Sequence, residues 1–242
     1  TTGTGTNHNI PEAGIHASIK NADSTGDLTI VTGEFDAEGN LIKSVDTTGG
    51  VQGIHAKNKG TGALKITTTG TTTGGGNNWK STGIYAKNYG TSLTINAATT
   101  TGGRNGIEAR NKGKGALSIT TTGKATGTDG VGIRAIDYGT GLTIVTGKFD
   151  VEGNLIKSVD TEGSASGINA KNYGTGALSI TTTGTTTGTG GDGIFAVNSG
   201  TGALSITTTG ETEGTAGDGI YAINNGSGAL SITTTGKTTG TG

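Results

Sequence analysis

Two pairs of carboxylates are the side chains whose types and spacing best suit bond-cleaving chemistry. Residues at spacing two share one face of a strand, and paired carboxylates are what glycoside hydrolysis requires. The pairs are Asp36 with Glu38 and Asp150 with Glu152. Because both pairs lie in copies of one duplicated segment, and a single active site needs only one copy, we expect a structural element here. A polysaccharide-acting enzyme is kept as the third hypothesis.

Other motifs of chemistry are weaker. His16 and His55 both occupy the x of a repeated Gly-Ile-x-Ala motif, which predicts two rings close together on the surface. A metal site is not predicted, because neither these residues nor His8 has a metal-binding spacing. Residues 188–193 match the Gly-x-Gly-x-x-Gly pattern of dinucleotide-binding sites. That pattern binds a dinucleotide only where a helix follows it, and no helix is predicted here. The chain has no Cys. We expect no catalytic residue, no bound metal and no cofactor.

Composition and charge exclude several classes of protein. The 242 residues include 50 Gly and one Pro, and 17 Lys and Arg are set against 18 Asp and Glu, for a net charge of −1. A nearly neutral chain is not expected to have nucleic acid or an anionic membrane as its main partner. The apolar runs are only a few residues long, so direct membrane insertion is not expected either.

A repeat dominates the sequence. Its first motif, Gly-Ile-x-Ala, begins at Gly14, Gly53, Gly83, Gly106, Gly132, Gly167, Gly193 and Gly219. Its second motif, Leu-x-Ile, begins at Leu28, Leu64, Leu93, Leu117, Leu142, Leu178, Leu204 and Leu230. Both motifs alternate with period two, which is typical of strands, and Gly interrupts every window that a helix would need. A Thr-rich third segment completes each unit.

The spacing of the repeat predicts the architecture. Steps between equivalent Ile residues range from 23 to 39 and are most often 26, which favours an all-β chain folded as a parallel β-helix, or β-solenoid, of about eight rungs. Residues 1–242 then form a single domain. Two copies of an insertion, residues 34–46 and 148–160, predict hairpins standing off the rod. A corner column predicts a stacked amide ladder: Asn58, Asn88, Asn111, Asn172, Asn198 and Asn224, with Asp137 in the remaining copy.

The consensus Gly-Ile-x-Ala-x-Asn-x-Gly-Thr-Gly-x-Leu-x-Ile-Thr-Thr-x-Gly resembles the passenger domains of Gram-negative autotransporters, those of Bartonella above all. The resemblance covers essentially the whole chain. It implies a right-handed parallel β-helix that a carboxy-terminal translocator β-barrel, expected to be absent from this fragment, exports through the outer membrane. It also implies a secreted or cell-surface virulence factor. Such passengers are adhesins, self-association proteins, toxins or receptor ligands, and one is a pro-angiogenic ligand of an endothelial growth-factor receptor.

Residues one and three positions after each inward Ile should face outward. In the last two rungs these positions are apolar, which predicts a contiguous partner-binding patch of Phe195, Val197, Tyr221 and Ile223. Further candidates are the corner residues Tyr89, Tyr138 and Tyr173 and the hairpin residues Phe35 and Phe149. Trp79, in a Gly-rich excursion, is predicted either to cover an end of a sheet or to act as an exposed anchor.

These observations predict a non-enzymatic rod that binds a host-cell surface protein, such as a receptor ectodomain, or a glycan. The alternative hypothesis is a structural spacer or self-association module of a surface adhesin. Registered outward Thr rows are also typical of ice-binding solenoids, but those need uniform rungs, and the repeat lengths here are uneven.

Overall fold

The chain folds into a parallel β-helix built from three long sheets. The computed structural model describes residues 2–3, 12–76 and 80–242, and no helix occurs among them. Two of the sheets have eight strands and the third has nine, with parallel neighbours throughout. The predicted all-β solenoid of about eight rungs is confirmed. Nothing in the described ranges forms a helix long and apolar enough to cross a membrane.

We number the sheets 1 to 3 in the order in which each repeat enters them. Sheet 1 carries the Gly-Ile-x-Ala motifs on the strands Ala13–Ile19, Gln52–Asn58, Thr82–Asn88, Asn105–Asn111, Val131–Asp137, Ser166–Asn172, Ile194–Asn198 and Ile220–Asn224, which define rungs 1 to 8. Sheet 2 carries the Leu-x-Ile motifs on the strands Leu28–Thr32, Leu64–Thr68, Leu93–Ala97, Leu117–Thr121, Leu142–Thr146, Leu178–Thr182, Leu204–Thr208 and Leu230–Thr234. Sheet 3 consists of the strands Thr2–Gly3, Thr47–Gly49, Thr72–Gly74, Thr100–Gly102, Ala125–Gly127, Thr161–Gly163, Thr186–Gly188, Thr212–Gly214 and Thr238–Gly240.

Equivalent residues of successive repeats lie one above another. Ile107 pairs with Ile133 in sheet 1, and Leu117 pairs with Leu142 in sheet 2. The inward Ile, Ala and Leu residues form one continuous core, in which Ile107 and Leu117 are 0% exposed. Because each buried side chain has a neighbour of the same type in the next rung, the residues of one column can pack in the same way throughout, which explains why the repeat keeps these residue types.

The Gly of the first motif is required by close packing between sheets 1 and 3. A Cβ atom at Gly53 would lie 2.6 Å from Cγ2 of Thr72 and 2.7 Å from the carbonyl oxygen of Gly83. Both distances are shorter than real Cβ contacts allow, so any larger residue would force the two sheets apart.

The predicted amide ladder is confirmed at the corner after sheet 1. Nδ2 of Asn58 donates to Oδ1 of Asn88 at 3.0 Å, and Nδ2 of Asn88 donates to Oδ1 of Asn111 at 3.0 Å. Each amide also donates to a carbonyl of the following turn, as Asn58 does to Gly62 at 2.8 Å. These buried amides are therefore satisfied both along the rod and within each turn.

Asp137 interrupts the ladder. Its Oδ1 accepts from Nδ2 of Asn111 at 2.8 Å, and its Oδ2 accepts from the N–H groups of Gly139 and Gly141, both at 3.1 Å. An ionised carboxylate cannot donate to the next rung, and the ladder resumes with Asn172 donating to Asn198 at 2.7 Å. Burial raises the pKa of Asp137, although the hydrogen bond from Asn111 and those from the backbone act in the opposite direction.

Both predicted hairpins are confirmed as antiparallel pairs. Strand Glu34–Phe35 pairs with Leu41–Lys43, and strand Lys148–Phe149 pairs with Leu155–Lys157. The turns use Gly39 and Gly153 at φ values of 84° and 86°, which residues with a Cβ rarely adopt. The hairpins follow the sheet 2 strands of rungs 1 and 5, so they project from the same corner of the rod.

Candidate functional site

The paired carboxylates belong to the hairpin turns. The strand ends at Phe35, so the prediction that Asp36 and Glu38 share a strand face is wrong. Oδ1 of Asp36 accepts from the backbone N–H groups of Glu38 at 3.1 Å and Asn40 at 2.7 Å, and its Oδ2 accepts from Nδ2 of Asn40 at 3.0 Å. These hydrogen bonds lower the pKa of Asp36, and the bond from the Asn40 side chain has the largest effect. Asp150 repeats the arrangement. The Asp36 and Asp150 carboxylates hold turns together, which removes the observation that favoured sugar cleavage.

The four predicted patch residues lie together on the outer face of sheet 1, and we call them the apolar patch. Phe195 pairs with Tyr221, and Val197 pairs with Ile223. The two rings are stacked, with centroids 5.2 Å apart and planes at 9°. Tyr221 is 39% exposed and the other three are partly exposed. Nζ of Lys171, one rung earlier, lies 5.1 Å from the Phe195 ring centroid. The predicted adjacency is confirmed, and the binding role stays a prediction.

The corner tyrosines form a smaller aromatic surface. Tyr138 and Tyr173 lie on neighbouring rungs with ring centroids 5.4 Å apart, and both are about half exposed. Tyr89 is separated from them by the rung of Lys112, whose Nζ lies 5.7 Å from the Tyr138 centroid. Nζ of Lys87 lies 4.9 Å from the Tyr89 centroid, and a hydrogen bond between these two side chains lowers the pKa of Tyr89. Only the rungs of Tyr138 and Tyr173 thus bring two of these rings together.

The hairpin phenylalanines are partly exposed. Phe35 is 38% exposed and Phe149 is 36% exposed. Each faces a leucine of the returning strand, Leu41 or Leu155. The two hairpins therefore present matching apolar surfaces four rungs apart, away from the apolar patch.

The predicted histidine pair is confirmed. The rings of His16 and His55 are stacked with centroids 4.6 Å apart and planes at 2°. Nδ1 of His55 lies 2.6 Å from Oε1 of Gln52, so this nitrogen donates. Burial, helped by the neighbouring His16 and Lys57, lowers the pKa of His55 to about 4. No cluster of three or more potential metal ligands occurs in the part of the chain that the structure describes. His8 and Trp79 lie outside the described residues.

Sequence reasoning missed a buried carboxylate on the outer face of sheet 1. The Glu108 side chain is only 7% exposed. Its Oε1 lies 2.6 Å from Nη2 of Arg110 and 3.8 Å from Nη1 of Arg134, and its Oε2 accepts from Nδ2 of Asn105 at 2.9 Å. The signal was present in the sequence, because Glu108 is the only acid in the two outward columns and has an arginine beside it and another on the next rung.

Two cavities that share His55 lie on this side of sheet 1, and the Glu108 cluster lines the first of them. The first, which we call the basic pocket, has a volume of about 370 Å³ and lies over the column of His55, Tyr85 and Glu108. Its walls are Gln52 and Thr82 together with the cations Lys80, Arg104 and Arg110. The second, which we call the lysine pocket, has a volume of about 280 Å³, shares His55, and is lined by His16, Ser18, Ile19, Lys20, Lys57 and Lys59.

Known proteins give no assignment for this chain. No family model, no curated protein and no solved structure matches it. The functional proposal therefore rests on the fold, on the chemistry of the outer face, and on the resemblance of the repeat.

Proposed function

We propose that the chain is a non-enzymatic binding rod, the passenger of an autotransporter, presented on or released from a bacterial surface, which binds the ectodomain of a host-cell receptor. The observation that carries this proposal is the apolar patch. Phe195 and Tyr221 stack in register on an outer face, with Val197 and Ile223 beside them. Contiguous exposed apolar side chains of this kind mark protein interfaces, and aromatic residues are their usual anchors.

The scaffold suits such an interface because it holds the anchors in place before binding. Each patch residue lies on a strand that hydrogen-bonds to the rung before it, and the strand ends at the Asn198–Asn224 step of the ladder, a bond of 3.0 Å. A backbone fixed in this way loses little conformational freedom when a partner binds, and the stacking of Phe195 on Tyr221 limits the movement of both rings. Lys171 adds a cation at the border of the patch, where polar groups surround a desolvated centre in typical interfaces.

Surface plasmon resonance with soluble ectodomains of endothelial growth-factor receptors tests the proposal. We expect saturable binding that the double variant Phe195→Ser/Tyr221→Ser weakens by about 30-fold or more, the scale of losing interface anchors. Tyr85→Ser is the matched control, since Tyr85 occupies the same column as Tyr221 in the other half of the sheet. Absence of binding, or an equal loss in the control, would contradict the proposal.

Self-association through the same patch is the alternative. Sedimentation velocity separates the two functions, because a self-association module forms larger species as its concentration rises. If the Phe195→Ser/Tyr221→Ser variant abolishes that growth and no receptor ectodomain binds the parent chain, the self-association hypothesis replaces receptor binding.

A further inference from the structure

The first four rungs of sheet 1 concentrate positive charge on their outer side. The basic pocket and the lysine pocket together are lined by six cations and one carboxylate, in a chain whose net charge is −1. The carboxylate, Glu108, is already paired with Arg110 and Arg134. A ligand that fills both pockets therefore meets a surplus of positive charge, which favours an anion of more than one charge.

The His55 ring, which lines both pockets, offers its edge rather than its faces. His55 is stacked on His16 on one side and lies against Tyr85 on the other, with centroids 4.6 Å and 5.1 Å apart. The faces of the His55 ring are therefore occupied by its neighbours. Recognition of single-stranded nucleic acid depends on bases stacking on free aromatic faces, so this arrangement disfavours a nucleic acid as the ligand.

The same side chains supply uncharged donors and acceptors. Because Nδ1 of His55 donates to Gln52, and the lowered pKa keeps the ring neutral at physiological pH, Nε2 is left as an acceptor. The side chains of Tyr85 and Thr82 add hydroxyl groups to the wall of the basic pocket. A ligand with several hydroxyls, each able to donate and accept, matches these groups, whereas a bare inorganic anion would leave them unused.

We propose that the basic pocket and the lysine pocket form a second binding site, which takes an acidic oligosaccharide carrying sulfate or carboxylate groups. Lys57, Lys59 and the arginines pair with the anionic substituents, and Tyr85 hydrogen-bonds a sugar hydroxyl. Glu108 is a positioning residue, since it holds Arg110 through bonds at 2.6 Å and 2.9 Å. The site lies on different rungs from the apolar patch, so this proposal does not depend on the proposed receptor binding.

Isothermal titration with a heparin-derived hexasaccharide tests this site on the intact chain. We expect one bound hexasaccharide per chain, and no heat with a neutral hexasaccharide. Lys57→Gln should weaken binding at least ten-fold, because a charge-assisted contact is lost. Tyr85→Phe, which leaves the charge unchanged, should weaken binding about three- to ten-fold through the loss of one neutral hydrogen bond.

Controls separate this site from general attraction of polyanions. Lys237→Gln removes the same charge from an exposed position on rung 8, paired with Glu211, and should change affinity less than two-fold. The double variant Phe195→Ser/Tyr221→Ser should also leave the affinity for the hexasaccharide unchanged. The proposal is overturned if Lys237→Gln weakens binding as much as Lys57→Gln, if Tyr85→Phe has no effect, or if a single-stranded oligonucleotide of equal charge binds as tightly.

Discussion

The amino-terminal and carboxy-terminal halves of sheet 1 bury the same residue types, but their outer faces differ in chemistry: the first is polar and charged, and the second ends in the apolar patch. Beneath both halves, Ile and Ala stack at 0% exposure from rung 2 to rung 7. Above them, the column one position after Ile begins with His16, His55, Tyr85 and Glu108 and ends with Phe195 and Tyr221. In this solenoid the interior sets the backbone, so outward positions can change their chemistry from rung to rung without changing the fold.

The border between the halves coincides with the interruption of the amide ladder. Rung 5 contains Arg134, which belongs to the charged cluster, and Asp137, which receives the last hydrogen bond of the first ladder segment. The second ladder segment begins at Asn172, on rung 6. The two outer surfaces thus rest on separate hydrogen-bonded segments of the corner.

Shortening a buried Ile side chain to Ala should lower the free energy of unfolding by a similar amount in either half. Ile107→Ala under the basic pocket and Ile194→Ala under the apolar patch each leave a cavity at a position with 0% exposure. We expect each to lower the free energy of unfolding by about 2–5 kcal/mol, measured by urea denaturation followed by circular dichroism. The outward control Ser205→Ala should stay within about 0.5 kcal/mol. A cost in one half only would show that the two halves do not share an equivalent core.

Interrupting the amide ladder should lower the free energy of unfolding more on the amino-terminal side of the border between the halves. Both variants remove the acceptor of the preceding amide in the ladder. In addition, Asn111→Ala leaves the buried carboxylate of Asp137 without its side-chain donor, whereas Asn198→Ala leaves the neutral amide oxygen of Asn224 without its donor. Each loss is expected to cost about 1–3 kcal/mol, with the higher value for Asn111.

The difference between these two variants should depend on pH. Because the folded pKa of Asp137 is raised from 3.8, its contribution to stability is full below that value and is lost as the pH rises through the folded pKa. Without Asn111 this loss becomes larger, so the gap between the variants should widen from about pH 4 to about pH 7. Urea denaturation at both pH values measures it, and a constant gap would contradict this role of Asp137.

The last expected effect is confined to the amino-terminal half and develops only at acidic pH. The pKa of His55 is 6.5 when unfolded and about 4 in the folded chain. Between these values the unfolded state takes up a proton that the folded state does not, so this group lowers stability as the pH falls from 6.5 to about 4. His55→Gln should flatten that part of the thermal-midpoint profile relative to the parent chain. An unchanged profile would show that His55 does not titrate as described.

Strand positions, core residues and the corner ladder could be predicted because each depends on local alternation and on a repeated residue type. Phe195 and Tyr221 could be placed side by side for the same reason, since register follows from the repeat. The Glu108 cluster was missed because its burial depends on three side chains from two strands and on how they fold over the sheet. The Asp36 and Glu38 prediction failed because a turn of only a few residues, fixed by Asn40, replaced the expected strand.

Both surfaces depend on equivalent residues stacking one rung apart. Distances between pairs of spin labels, measured by double electron–electron resonance, test this directly. Val31 and Thr181 lie five rungs apart in one outward column of sheet 2, and so do Asn96 and Thr233. Spin labels on the two pairs should give the same distance, about 24 Å at 4.8 Å per rung, apart from the spread of the label arms. Two clearly different distances would contradict the stacked register.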